Sequence, residues 1–433
     1  MVGTLFWFGV LAALPAPKPA ETLIRLTVDP MPAPKPALRY LLLPELKEMS
    51  PGNPIPNYLK GLLDQDFSAE QETLTPAALR QADRAARMDK PDWQILLRLK
   101  TDGISLLLPD LQKMRSLAAG LQARFREEIA QGRFDDAITT AKTMLAMSRH
   151  MGEHPTLIGD LVGIAIAMIA LGPLEEMLEQ PGCPNLYWAL TNLPRPLVPM
   201  DRGIEGERAL ILAEMPGLED TAPLTAAQLK KLIAHVEGLW ASDDIRALPG
   251  RSVRAYINER TRDEKYMAAA RRRLVGYGIP EDRLAKYPPE QVVLVDEKRT
   301  YEVLRDEEMK YMNLPTWEAL AGISYPQKKP ENAGLFTIFV PSVYKIRQAQ
   351  GRLEQKIALL RHVEAVRLYA AEHGGKLPER LSDVTVPLPP DPFTGKPFRY
   401  AVEGSVAHLR GNPPRGGENV PVYNLHYEIT IRK

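Results

Sequence analysis

LIGDLVGIAIAMIAL, Leu157 to Leu171, is apolar on nearly every side. A helix with that composition has no polar face to offer water, so it belongs at the centre of a bundle. The run is 15 residues long, contains Asp160 and is followed by Gly172-Pro173. It therefore falls short of the ~20 apolar residues that span a bilayer. The expectation is a core helix that stops at the Gly-Pro pair, with other helices packed around it.

Upstream, Asp110 to Gln131 places Leu111, Met114, Leu117, Leu121, Phe125 and Ile129 at steps of three and four, which puts them on one helical face. Gly132 breaks that helix. Phe134 to His150 repeats the pattern through Ile138, Ala141, Leu145 and Met147, so the two segments predict a helical hairpin. Earlier still, Thr75-Pro76 has the form of an N-cap followed by proline at the first helical position, opening an alanine-rich helix to Arg87.

Downstream, proline-stopped helices are expected over Gly203–Met215, Ala226–Ala241, Arg251–Gly276 and Glu290–Met312. The last carries Leu294, Tyr301, Leu304, Tyr311 and Met312 as a stripe. The longest runs from Ser342 to His373, with Gly374-Gly375 as its C-cap. Beyond it, strands are expected at Phe398–Val402 and Val422–Ile431, the second from its period of two. The fold class is mostly α: a helical bundle or irregular helical array with a small C-terminal α+β end.

The chain divides accordingly into four expected parts. Residues 1–20 form a signal peptide or N-terminal apolar segment, and 21–74 a proline-rich arm. Residues 75–340 form a helical body, and 341–433 a long helix with a small antiparallel sheet. Pro-Ala-Pro-Lys-Pro-Ala occurs at Pro15–Ala20, immediately before the arm, and again at Pro32–Ala37 within it, a composition that favours polyproline II. Between the copies, Thr22 to Val28 reads as one strand. Val2 to Leu14 is a run of 13 uncharged residues, the length of a secretory signal's apolar region. An exported, periplasmic or cell-envelope location is expected from it, with no further membrane span.

Composition narrows the function classes. Of 433 residues, 45% are hydrophobic and 25% charged, as in ordinary globular chains. With 55 basic and 54 acidic residues the formal charge is +1, so no global field steers the chain to nucleic acid. Arg271-Arg272-Arg273 point in three directions around a helix and form no basic face. Cys183 is the single cysteine, which excludes an intrachain disulfide; it reads as a small packing residue in a turn.

Two stretches resemble known families. Gly132-Arg133-Phe134-Asp135-Asp136-Ala137-Ile138 resembles the turn and second helix of a tetratricopeptide repeat, covering half a unit within 110–150. No second copy follows at the repeat's period of about 34 residues. The C-terminal stretch is more specific. It contains Tyr369-Ala370-Ala371-Glu372-His373-Gly374-Gly375-Lys376-Leu377-Pro378, then Asp391-Pro392-Phe393-Thr394-Gly395-Lys396-Pro397-Phe398-Arg399-Tyr400. This resembles the soluble module of type II secretion pseudopilins, which implies a long helix packed on a small antiparallel sheet over about 343–431. Pseudopilins carry that module on an N-terminal membrane helix with a glutamate, whereas Gly3–Phe8 holds no acidic residue, so a fibre-forming role does not carry over. The whole layout is similar to uncharacterised exported bacterial helical proteins.

For chemistry, His150-Met151-Gly152-Glu153-His154 matches the H-x-x-E-H zinc motif. That motif needs both imidazoles on one helical face, and Gly152 and Pro155 end the helix there. His150 and His154 are therefore expected not to converge on a metal. His235, His362, His373, His408 and His426 are scattered in sequence. No phosphate loop, dinucleotide fingerprint or nucleophile elbow is present, so no catalytic, cofactor-binding or metal residue is assigned and no cofactor is expected. The reading is a non-enzymatic structural or interaction component with an envelope protein as partner. The alternatives are a hydrolase whose site is assembled from residues distant in sequence and is not readable from it, with the zinc motif at His150, Glu153 and His154 as its one pointer, and a peptide-binding helical repeat module.

Overall fold

The computed structural model describes residues 21–63, 65–66, 73–103, 106, 108–215, 217–219, 222–240, 252–323 and 334–433. The Val2–Leu14 run on which export was read lies outside the described residues. In chain order come strand β1 (Thr22–Val28), helix α1 (Ile55–Leu63) and the two-residue strands β2 (Gln65–Asp66) and β3 (Thr73–Leu74). Helices α2 (Pro76–Ala86), α3 (Leu96–Asp102), α4 (Pro109–Ala130), α5 (Phe134–Met151) and α6 (Leu157–Leu178) follow. Then come α7 (Tyr187–Thr191), α8 (Asp201–Ala213), α9 (Ala226–Trp240), α10 (Val253–Arg262) and α11 (Glu264–Gly276). Helices α12 (Glu281–Leu284), α13 (Pro289–Met309), α14 (Thr316–Gly322) and α15 (Val343–Glu372) lead into strands β4 (Arg399–Glu403), β5 (Val406–Arg410) and β6 (Leu425–Ile431). The architecture is mostly α with a small C-terminal α+β end.

The sequence signals explain the first helices. Thr75 caps α2, its hydroxyl accepting from the Ala78 amide at 3.1 Å. Leu111, Met114, Leu117, Leu121, Phe125 and Ile129 all lie in the core, where α4 packs on α5 and α6. By composition α6 could cross a bilayer; here it packs against α4, α5, α8 and α15, and Ile166, Ala167 and Leu171 lie buried in the core.

Three expectations are corrected. First, α6 does not stop at Gly172-Pro173 but continues to Leu178. Proline has no N–H to give the carbonyl four residues back, normally a penalty of ~3 kcal/mol inside a helix. That carbonyl belongs to Ile169, and Gln122 on α4 donates its Nε2–H to it at 2.9 Å. Second, Arg251–Gly276 is not one helix. The backbone turns extended at Asp263, whose carboxylate accepts from the Tyr266 amide at 3.0 Å and starts α11 afresh. Third, α13 ends at Met309, so Tyr311 and Met312 sit in the turn beyond it.

Helices α9, α10, α11 and α13 enclose a second core built on Leu232, Val236, Tyr256, Ile257, Leu274 and Val293. Beside it, Tyr256 donates its hydroxyl to Glu297 at 2.6 Å and Tyr266 donates to Asp296 at 2.9 Å.

The sheet has the order β1-β6-β5-β4. One strand, β5, was not foreseen. It forms a hairpin with β4 through Gly404-Ser405, where Gly404 takes φ +63°, a conformation glycine adopts without strain. Strand β6 pairs antiparallel with β5, and β1 pairs parallel with β6 from Thr22↔Leu425 to Val28↔Ile431. The strand of the N-terminal arm is thus built into the C-terminal sheet. Period-two alternation sends Leu26, Val28, Ala407, Leu409, Tyr427 and Ile429 into the core that contains α15, and leaves Arg25, His408 and Glu428 on the other face. Phe398 is buried, Arg399 is exposed, and Tyr400 donates its hydroxyl to the Pro378 carbonyl at 2.8 Å.

Asp391 fastens the Asp-Pro turn to α15. Its carboxylate accepts from the amides of Phe393 (3.0 Å) and Asn412 (2.7 Å) and from Gln355 Nε2 (3.1 Å). Further along α15, Arg367 is fully buried. It donates to Glu364 (2.9 Å), the Cys183 carbonyl (2.7 Å) and the Asp29 carbonyl (3.0 Å), so one guanidinium ties helix, turn and arm together.

Candidate functional site: an arginine-lined cavity

The H-x-x-E-H residues straddle the end of α5. Met151 is its last helical residue, Gly152 caps it, and the His154 amide folds back to the Met151 carbonyl at 3.0 Å. The two imidazoles have separate partners. His150 Nδ1 lies 3.0 Å from the Tyr58 hydroxyl, and His154 Nδ1 lies 2.8 Å from Thr156 Oγ1 with its ring edge-on to Trp93. Burial lowers both pKa values to about 4, so both rings are neutral. Glu153 is half-buried beside them. This arrangement reads as a packed helix end.

Just beyond it, α8 crosses the start of α6 at contact distance. A Cβ on Gly206 would stand 1.9 Å from the Pro155 carbonyl oxygen, and one on Gly203 would stand 2.0 Å from Asp160 Oδ2. The crossing therefore requires glycine at both places. It seals in Asp160, whose carboxylate oxygens have no hydrogen-bond partner. Burial, with Glu207, Asp201 and Glu153 nearby, raises its pKa to about 9, so it is held as the neutral acid.

The chemistry concentrates where α15 meets the body. A cavity of about 440 Å³ is bounded by the turn before α8, the turn before α14, one face of α15 and Pro389–Pro392. Leu190, Leu193, Met200, Met312, Leu314 and Ile357 supply apolar walls, with Trp317 at one side. Arg195, Arg347 and Arg361 face it, against the acids Asp201 and Glu354.

The three arginines differ in what already holds them. Arg347 is committed to structure: it donates to the Met312 carbonyl at 3.1 Å, to the Leu314 carbonyl and to Thr316 Oγ1 at 3.3 Å. Arg195 is exposed at the rim. Arg361 is 4% exposed, has no carboxylate partner among the described residues, and leaves its Nε without a hydrogen bond. Its guanidinium lies 5.5 Å from the Tyr187 ring centroid. Burial lowers its pKa below the usual arginine value. Glu354 accepts the Thr316 hydroxyl at 2.8 Å, and burial raises its pKa.

No family model, curated protein or solved structure matches the chain. Sequence reading missed this cavity altogether. Arg361 sits in a charge-rich helix and looks like any solvated arginine; the residues that line the cavity with it, near 195, 314 and 390, are all distant in sequence. It also left His408 and His426 scattered. The β5–β6 register sets His426 opposite Arg410 and His408 opposite Glu428, bringing the two imidazoles together.

Proposed function

We propose that the protein is a non-catalytic binding protein for a small amphiphilic anion, such as a carboxylate on an apolar body, held in the α15 cavity. The observation that carries this reading is the Arg361 guanidinium: buried, held by Tyr187 but with no carboxylate partner among the described residues, and lining open volume. Burying a cation without a counter-charge costs several kcal/mol, which an anionic ligand would offset. The volume falls in the ordinary range for small-molecule sites of about 300–1,000 Å³, and a largely apolar lining with a few polar groups is their usual composition. The order of long helix, glycine-proline turn, Asp391-Pro392 turn and strands supports a pseudopilin-like origin for the end that forms one wall. Val2–Leu14 supports placing this role in the cell envelope.

Isothermal titration with octanoate, benzoate and inorganic phosphate tests the reading. The expected result is binding of a carboxylate with an apolar body in preference to phosphate, weakened at least about tenfold in Arg361→Gln. Equal affinity of parent and variant, or no binding by any of the three, overturns it.

A further inference from the structure

We propose that His408, His426 and Glu428, on the face of the sheet turned away from α15, bind one zinc-class divalent cation. The site is independent of the cavity. Its candidate ligand atoms all lie within 4.8 Å of one another. His408 Nδ1 is 3.0 Å from His426 Nε2 and 3.9 Å from Glu428 Oε1. A tetrahedral zinc holding two ligands at about 2.0–2.1 Å sets them about 3.3 Å apart. The two imidazole nitrogens stand within a few tenths of an ångström of that spacing, and the Glu428 carboxylate, 3.9 Å from His408, closes the set by a side-chain rotation toward them.

The surrounding groups favour the same reading. Zinc-bound imidazoles usually donate their outer N–H to a carboxylate, which fixes the ring and the tautomer. His426 Nδ1 lies 2.9 Å from Glu21 Oε2, so Nδ1 carries the proton and Nε2 presents a lone pair to the site. Behind His408, Nε2 lies 3.7 Å from Glu403 Oε2. Without a cation, His408 donates Nδ1–H to His426 Nε2. With one, the His408 proton moves to Nε2 and faces Glu403, so binding requires a change of tautomer and no net loss of a proton. Glu428 is divided in the same way: Oε2 holds Arg25 at 2.9 Å, while Oε1 is the oxygen nearest the imidazoles.

Three carboxylates, Glu21, Glu403 and Glu428, stand around the pair against two cations, Arg25 and Arg410. Imidazole and carboxylate ligands suit zinc, cobalt and nickel better than calcium or magnesium. His426 is nearly covered, whereas His408 and Glu428 are half-buried, which leaves a coordination position toward solvent. The cation would tie β5 to β6 and, through Glu21, reach the residue preceding β1.

The test uses the full chain stripped with EDTA, titrated with Zn²⁺ by calorimetry and with Co²⁺ by visible absorption. The expected result is one equivalent bound, with affinity lowered about 100-fold or more in His408→Ala and in His426→Gln. Glu21→Gln, which touches no metal, should lose about tenfold, at the low end of what outer-shell partners contribute. Zn²⁺ should raise the melting temperature of the parent and leave that of His408→Ala unchanged. Melting in EDTA establishes that each variant is folded, and Arg361→Gln should retain the zinc site. Absence of binding at micromolar Zn²⁺, or one equivalent bound equally by parent and both histidine variants, overturns the proposal; the short His408–His426 contact is then a plain hydrogen bond.

Discussion

Helices α6 and α15 are both long, at 22 and 30 residues, and both are largely buried, yet they achieve burial by opposite means. Helix α6 is apolar along most of its length, with Ile158 and Leu161 left exposed near its start. Its acids are Asp160, which is buried and stays neutral, and Glu175 and Glu176 in the last turn, which pair with Lys356 and Arg126. Helix α15 buries Arg347, Gln355, Lys356, Arg361, His362, Glu364 and Arg367. Most of these have specific partners, such as Glu364 for Arg367 and Glu175 for Lys356 at 2.6 Å. An apolar helix fits any apolar surroundings of the right volume. A helix with buried charges fits one set of neighbours, and Arg361, with no carboxylate partner among the described residues, is the charge on which the proposed binding site rests.

That contrast can be broken most severely at Arg367. Arg367→Ala leaves the Glu364 carboxylate buried without its counter-charge and frees the Cys183 and Asp29 carbonyls. Breaking a buried pair by removing one partner costs ~3–5 kcal/mol, so urea denaturation should show a loss of that order. An equally large loss for a mid-helix truncation such as Ile166→Val in α6 would erase the distinction, since that change normally costs ~0.5–1.5 kcal/mol.

The second test is pH. Asp160 has its pKa raised from 3.8 to about 9. Between those values the unfolded chain is ionised at this residue and the folded one is protonated, so the contribution of this group is fully present below about 3.8 and is lost as pH rises toward 9. The slope from this group is about 1.4 kcal/mol per pH unit. Asp160→Asn should remove that slope, and its advantage over the parent should grow with pH in thermal melts.

On α15 the sign is reversed and the range shorter. His362 is held neutral by burial, its pKa lowered from 6.5 to about 4, so the unfolded chain takes up the proton first. The contribution of this group is fully present above about 6.5 and is lost as pH falls through 4. His150 and His154 act in the same direction. His362→Leu should reduce the acid slope by at most about 1.4 kcal/mol per pH unit, and an unchanged slope would refute the neutral-histidine account.

Smaller effects are expected at the edges of the comparison. Gln122→Ala orphans the Ile169 carbonyl beneath Pro173 and should cost about 1–3 kcal/mol, the penalty of an unsatisfied buried acceptor. Arg399→Ala, on the exposed side of β4, should stay within about 0.5 kcal/mol in the same denaturation assay.

These residues also show how much the sequence could say. The stripe from Leu111 to Ile129 and the Thr75-Pro76 cap were legible because their causes are local. Pro173 misled because the group that rescues Ile169 sits on another helix. Asp263 was a readable cap overlooked inside a charged run. Strand β5 was missed because it is five residues long with only Ala407 and Leu409 on its inward face, although His408 and Arg410 alternate with them and Gly404-Ser405 gave a turn signal. For the cavity and the histidine pair, residue types were visible but proximity was not. Arg361 stands out only once the fold sets it in a cavity lined by residues near 195, 314 and 390, and His408 meets His426 only through a particular strand register.

The parallel pairing of β1 with β6 has a consequence for how the molecule comes to be folded. Arg25 and Glu428 touch across a sequence separation of 403 residues. Contacts so remote must wait for the intervening chain, and such topologies fold slowly compared with local helical hairpins. During synthesis β1 would therefore emerge early and remain an unpaired edge until the chain near residue 425 arrives, while the α4–α5 hairpin could already form. An unpaired strand rich in Leu, Ile and Val invites association with other chains. The interval between making Thr22–Val28 and making Leu425–Ile431 is thus a window of vulnerability, and a chaperone that covers the first strand would act on the step that this topology delays longest.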